Sequence, residues 1–400
     1  VERPTHRMRD LRHQGALAVL RHLHRQPGVT RSELARALDL SSGSATDLVA
    51  RLKRLRLLDE VASAPSGGRG RPSPTLVAHP AGPLVCVVDI SHERWRVAAV
   101  ELGGRIVQHT SGRHVDREPD AVLDRVRREI AACRRRLGHR IRAVSVAVAA
   151  TVRGTEVVQA ATLGWRRVSL EPLRPAADVP LLVGNDASLA GLAEARRGAG
   201  AGVRVVLHLT VEVGVGGVLV VDGDLLDGAT GAGGEFGHLP FGDPTLRCPC
   251  GATGCWDLLV DGRAMARQLG QPAPDDPRTA AEHILAAAPR DPAARAAVNG
   301  AARALGRGVG GLVNALDPAL VTLSGLAVDL SAAAPREVDA GYRAGLMSFR
   351  RGQPPPLVPS TLGPDGRIAG AADAAFDTVL TVPGIEAWSR STARVREGAT

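Results

Sequence analysis

The stretch GEFGHLPFGDPTLRCPCGATGCWD, residues 234–257, constrains this chain more than any other, because His238, Cys248, Cys250 and Cys255 follow the spacing His-x9-Cys-x-Cys-x4-Cys. One imidazole and three thiolates make a closed tetrahedral zinc set, and Gly251 and Gly254 let the backbone curl around an ion. Four protein ligands leave no coordination position for water, so the expected Zn2+ is structural rather than hydrolytic. The other two cysteines, Cys86 and Cys133, read as buried hydrophobic thiols.

Charge divides the chain in two. Residues 1–80 hold 14 Arg and Lys against 7 Asp and Glu, whereas residues 81–400 hold 36 against 34. A small basic module on a near-neutral body suggests a nucleic-acid binder carrying a sensor or an enzyme. A solvated basic arm is the plainer alternative. Lys53 is the only lysine beside 49 arginines, so single arginines carry little weight. The 400 residues, 44% hydrophobic and 23% charged, have ordinary globular composition and allow two or three domains. The charged N-terminus lacks the apolar core of a secretory signal, and the longest apolar run, 143–152, is too short for a bilayer. A cytoplasmic location with no membrane partner is the expectation.

Within the basic module, Leu11, Leu17, Val19, Leu20 and Leu23 make a rough helical stripe. Thr30 and Glu33 form a capping box for a second helix, and Ser41 or Ser42 caps a third. Ala45, Leu48, Val49, Leu52 and Leu55 fall on one face of that third helix. Ser42, Ser44, Thr46, Asp47 and Arg51 occupy its start and opposite face, where small hydroxyl side chains can approach phosphates and base edges of double-stranded operator DNA. Two amphipathic helices are as often a bundle fragment, and the continuation bears on the choice. A Gly/Pro/Ser-rich segment carries Arg69-Gly70-Arg71-Pro72, readable as a wing with Arg69 and Arg71 in a narrow minor groove, or as a plain linker.

From Leu84 onward, short β-branched runs alternate with helical segments and glycine turns, which indicates an α/β body. There GNDASLAGLAE, GATGAGGEFGHLPFGDPTLRCPCGATGCWD and VNALDPALVTLSG stand in an order and spacing that resemble the ROK family of repressors, open reading frames and sugar kinases. The resemblance covers nearly the whole length, including the winged helix-turn-helix of the transcriptional members. It implies an actin-like ATPase fold, two α/β lobes around a sugar cleft, and the boundaries 1–64 (winged helix-turn-helix), 65–83 (wing and linker), 84–190 (N-terminal lobe), 191–375 (C-terminal lobe with the zinc site) and 376–400 (end of a helix and a loosely packed tail).

The resemblance also implies site roles. The zinc-bound His238 turns its other ring nitrogen to a sugar hydroxyl beside Glu235. Asn185 and Asp186 match residues that hold the sugar and, in a kinase, remove the hydroxyl proton; an Asn-Asp turn capping the next helix is the structural alternative. Asp257 stands where glutamate is usual, shorter by about 1.5 Å, which puts its contact with a ligand in doubt. Thr162 stands where an amide is common, and Trp165 is either a sugar platform or core.

The kinase reading meets an obstacle behind Asp89. Phosphate loops need glycine so that backbone N–H groups can approach the anion, yet this chain offers Ser91, His92, Glu93 and Arg94. A carboxylate at Glu93 near a phosphate costs about 4 kcal/mol at roughly 4 Å and an effective dielectric near 20. Gly214, Gly216 and Gly217 are kept in a second glycine run, while Ser324 stands where a further glycine is usual. The expectation is a DNA-binding regulator, a repressor, that senses a sugar or sugar derivative without ATP and forms a homodimer or dimer of dimers. An active ATP-dependent sugar kinase with Asp186 as base, and a regulator answering to a protein partner, are the alternatives.

Overall fold

The computed structural model describes residues 4–62 and 74–397; the Arg69 and Arg71 of the expected minor-groove contact lie outside them. The chain opens with α1 (Pro4–Arg25), α2 (Arg31–Ala37) and α3 (Ser42–Arg54), followed by an antiparallel pair, β1 (Leu58–Val61) and β2 (Thr75–Ala78). Thr30 and Glu33 do form the capping box on α2, and Ser41 rather than Ser42 caps α3. Three helices with a two-stranded wing are the arrangement expected of the basic module.

The body begins with the strands β3 (Leu84–Ile90), β4 (Arg94–Glu101) and β5 (Ile106–Arg113), the helix α4 (Pro119–Leu137) and β6 (Ile141–Val148). A small antiparallel sheet, β7 (Thr151–Arg153), β8 (Glu156–Ala160) and β9 (Trp165–Ser169), leads to β10 (Leu181–Asn185) and α5 (Asp186–Arg197). The first large sheet has the order β10-β6-β3-β4-β5. Every residue of β3 is buried, as a central strand covered on both faces requires.

A second five-stranded sheet follows, built from β11 (Val205–Glu212), β12 (Gly214–Val221) and β13 (Asp224–Leu225), then, after α6 (Gly262–Gln268), α7 (Pro277–Ala287) and α8 (Pro292–Leu316), β14 (Leu320–Gly325). The helices α9 (Leu326–Ala333) and α10 (Pro335–Gly345) precede its last strand, β15 (Leu357–Pro359). Finally α11 (Gly366–Val379) and α12 (Val382–Glu397) return to the first lobe. α5 packs on the second sheet, α11 on the first, and the two helices on each other. Asp186 at the start of α5 and Arg367 at the start of α11 lie 3.6 Å apart.

The segment after Ala374, expected to be the end of a helix and a loosely packed tail, is the end of α11 followed, in place of the tail, by the helix α12. Trp388 is 2% exposed, its indole N–H donates to the Leu55 carbonyl at 2.8 Å, and its ring stacks on His139. The core of the winged module is continuous with that of the body: Leu20, Leu23, Leu34, Val49, Leu52 and Leu76 share one apolar cluster with Val85, Val87, Phe376 and Trp388.

Candidate functional site

Four groups in the second lobe converge as their spacing predicts. The ligand atoms of His238, Cys248, Cys250 and Cys255 all lie within 4.8 Å of one another. Two edges are resolved, Cys250 Sγ to Cys255 Sγ at 3.7 Å and Cys248 Sγ to His238 Nδ1 at 3.8 Å. A tetrahedron with metal–sulfur bonds of about 2.3 Å has edges of roughly 3.8 Å, so the cluster has the dimensions of a metal site. Burial and the neighbouring thiols push Cys255 up to about 12 and Cys248 above its ordinary value.

His238 joins this cluster to the cleft. Its Nδ1 faces Cys248, and its Nε2 lies 3.9 Å from Glu235 Oε2. The Thr151 hydroxyl donates to the Glu235 carboxylate, a positioning contact that the sequence did not announce. Beneath the imidazole, Asp257 is 9% exposed; its Oδ1 accepts from the Val215 N–H at 2.6 Å, and its Oδ2 is 3.8 Å from His238 Nδ1. A Cβ on Gly237 would stand 2.0 Å from Asp257 Oδ1. Asp257 is thus packed under the histidine and close against Gly237.

The other half of the cleft is built on α5. Asn185 caps that helix through Oδ1, which accepts from the Ser188 N–H at 3.0 Å, while its Nδ2 donates to the Ala150 carbonyl at 3.1 Å. Its amide is therefore engaged by structure at both ends. Ala150 and Thr151 are adjacent, so one turn holds both Asn185 and Glu235. Asp186 is lifted above the usual carboxylate range by burial, against the pull of Arg367.

Arg367, at the start of α11, was not singled out from the sequence. Its Nη1 lies 3.6 Å from Asp89 Oδ1 and 3.6 Å from Asp186 Oδ2, and its Nη2 lies 3.9 Å from Glu212 Oε1. Three carboxylates from β3, α5 and β11 surround one guanidinium, whose pKa they raise, Asp89 first, above its ordinary value. No motif signals this, because the four residues are spread from 89 to 367.

In the turn behind Asp89, Glu93 lies against Asp276 of the second lobe, with Arg113 Nη2 3.5 Å away, and burial followed by Asp276 raises it to about 7. His92 Nδ1 pairs with the Thr162 carbonyl at 2.7 Å. Trp165 is core, 2% exposed with its N–H on the Arg117 carbonyl. Ser324 is buried in a hydrogen-bonded set with Thr210 at 2.6 Å and with His208, whose burial lowers it to about 4. Gly216 and Gly217 are close-packing positions, since Cβ atoms there would meet Ala187 and the His208 carbonyl at 2.7 and 2.6 Å.

On the winged module Ser42, Ser44, Thr46 and Asp47 are exposed along α3, while Arg51 is half-buried. Lys53 on the same helix is tied to Asp59 and Glu60 of β1 at 3.2 and 3.1 Å, and so braces the wing. At the opposite end of α5, Arg197 reaches into α1: its Nη2 is 2.7 Å from His24 Nε2 and 2.5 Å from Asp373 Oδ1, and its Nη1 donates to the Gly103 carbonyl. Among the described residues no single helix is long and apolar enough to cross a membrane.

Comparison with known proteins agrees with both parts. A model of the ROK family matches residues 85–377, and a model of the MarR family matches residues 10–70. The glucokinase of Streptomyces coelicolor is 28% identical over 311 residues, 73% of this chain and 97% of its own length. The DNA-binding transcriptional repressor Mlc of Escherichia coli is 24% identical over 258 residues, 63% of this chain and 64% of its own. The crystal structure of a ROK family transcriptional regulator, a homolog of the E. coli MLC protein, superposes with a TM-score of 0.73 at 24% identity, over 94% of this chain and 99% of that one.

Proposed function

Because this chain belongs to the ROK family, we propose that it is a DNA-binding transcriptional regulator, acting as a repressor, whose kinase-like cleft senses a sugar or sugar derivative. The observation that carries this is the single apolar cluster shared by the winged module and the body. A sensor can govern a DNA reader only if the two are mechanically joined. The relatives include a repressor and a glucokinase, and the winged module favours the regulator.

In this reading Ser42, Ser44, Thr46, Asp47 and Arg51 face operator DNA, with Arg69 and Arg71 beyond the wing. Paired half-sites call for a homodimer or a dimer of dimers. Zn2+ fits the His238, Cys248, Cys250 and Cys255 set in donor chemistry and in edge length. It supplies no open coordination position and serves as a clamp. His238 then keeps Nε2 free to pair with a sugar hydroxyl, and Glu235, oriented by Thr151, accepts from a neighbouring hydroxyl. Asp186 faces the same ligand from α5, Asn185 positions that helix start, and Asp257 positions His238.

Sugar bridging the lobes pulls α5 and α11 toward the closed form. DNA and sugar then select different members of one ensemble, and a tenfold loss of operator affinity needs only about 1.4 kcal/mol of differential binding. The test is a fluorescence-anisotropy titration of the zinc-loaded protein on operator fragments selected from random DNA, with and without hexoses, pentoses and their N-acetyl derivatives. Operator affinity is expected to change at least fivefold with one of them; no change with any of them would remove the sugar from the reading. The glucokinase likeness keeps a kinase as the second reading, and sustained ATP consumption with any of these sugars would establish it.

A further inference from the structure

We propose that Arg367 is a resident cation at the floor of the cleft, filling the place at which a metal-bound phosphate would otherwise be held by Asp89, Asp186 and Glu212. The proposal rests on reading the cleft as a receptor, and adds the residue that makes it one.

Three carboxylates brought together from separate elements need a counter-charge, because their mutual repulsion in a buried site is otherwise uncompensated. Oxygen clusters of this kind are what Mg2+ or Mn2+ takes up, with metal–oxygen distances of about 2.0–2.2 Å. Here the guanidinium nitrogen Nη1 lies 3.6 Å from both Asp89 Oδ1 and Asp186 Oδ2. At metal–oxygen distances an ion shared by those two oxygens would stand closer to them than this nitrogen does, beside the positive charge of the guanidinium. Like charge therefore opposes the metal, and with it a nucleotide whose phosphates depend on that metal.

A second observation marks the place as built for a ligand group and not only for internal pairing. Asp89 is 8% exposed, and its Oδ1 is buried without a hydrogen-bond partner. At 3.6 Å Arg367 balances its charge but is too far to donate to it. The unused acceptor is open to an uncharged donor such as a hydroxyl, which brings no phosphate and requires no metal.

The arginine is held from below. It is the second residue of α11, and the adjoining Ile368 is 1% exposed in the core shared with the winged module. Its backbone is thus held by the helix that also carries Asp373, and the three carboxylates face its guanidinium.

The experiment uses the full-length, zinc-loaded protein with Mn2+ alone as probe, followed by electron paramagnetic resonance of the free ion. Arg367→Ala and the volume-conserving Arg367→Met are compared with the parent, and zinc content and circular dichroism check the fold. Both variants are expected to bind one Mn2+ at least tenfold more tightly than the parent, and to lose that gain when Asp89→Asn is added. Parent protein that already binds Mn2+ in an Asp89-dependent way would overturn the proposal, as would folded variants that bind it no better than the parent. These outcomes are independent of the sugar response of operator binding, so this proposal can fail while the regulator reading stands.

Discussion

The carboxyl of Glu93 at the cleft mouth shows how one residue can change role between sequence and structure. In sequence it is an anion crowding a phosphate loop; in the fold it meets Asp276 and rises to about 7, from an ordinary 4.5. Asp276, through its hydrogen bonds with Glu93 and Thr279, is held well below the usual carboxylate range. The pair is expected to share a proton across the two lobes, beside Arg113, and burial lowers His92 and His114. A raised folded-state pKa makes this contribution complete below the unfolded value and lost as pH rises through about 7. The melting temperature is expected to fall by a few degrees from about pH 5 to about pH 8 through this pair. In Glu93→Gln, which keeps the hydrogen bond without titrating, the slope should flatten. Identical pH profiles for the two proteins in differential scanning calorimetry would rule the shared proton out.

Among elements, the metal turn and α12 stand at opposite ends of what local pattern can reveal. The turn was legible because its ligands are close in sequence and chemically distinctive; Gly251 and Gly254 both adopt positive φ, 105° and 69°, as the tight curl requires. Cys255→Ser is expected to lose its bound zinc and lower the melting temperature by several degrees, and chelation of the parent should have the same effect. One zinc per chain retained by the dialysed variant, measured by plasma mass spectrometry, would show the ligand set to be wrong. By contrast α12 was read as tail, although Val382, Ile385 and Trp388 recur every three residues. That stripe is too sparse to assert a helix by itself, and it gains its meaning only from the groove between α1, Leu55 and His139 that it fills.

For the whole molecule, α5 is the element that spans cleft and DNA module. Its 12 residues cover about 18 Å, from Asp186 at the ligand end to Arg197 at the other. There Arg197, Asp373, His24 and the Gly103 backbone form one buried polar set: His24 Nδ1 accepts from the Gly103 N–H at 3.1 Å, and its Nε2 lies 3.1 Å from Asp373 Oδ1. Such a set has few alternative arrangements, so displacement of α5 is passed to α1 rather than absorbed. His24→Ala and Arg197→Ala are expected to bind the sugar with unchanged affinity while the effect of sugar on operator affinity falls at least threefold. Calorimetry for the sugar and anisotropy for the DNA separate the two quantities, and a full sugar response in both variants would locate the coupling elsewhere.

What the sequence by itself determined are the features encoded over short spans: the His-Cys cluster, the capping box, the helix faces of the winged module and the alternation that makes two α/β lobes. Only the tertiary structure decided which charges meet. Arg367 is ordinary in sequence among 49 arginines, and becomes central because β3 and β11 end, and α5 and α11 begin, at the same point. The packing of Asp257 against His238 is decided in the same way, whereas the Asn185 cap on α5 is one the sequence already offers. Local periodicity and ligand spacing follow from the geometry of a single segment, whereas electrostatic environment is a sum over neighbours that only the folded chain brings together.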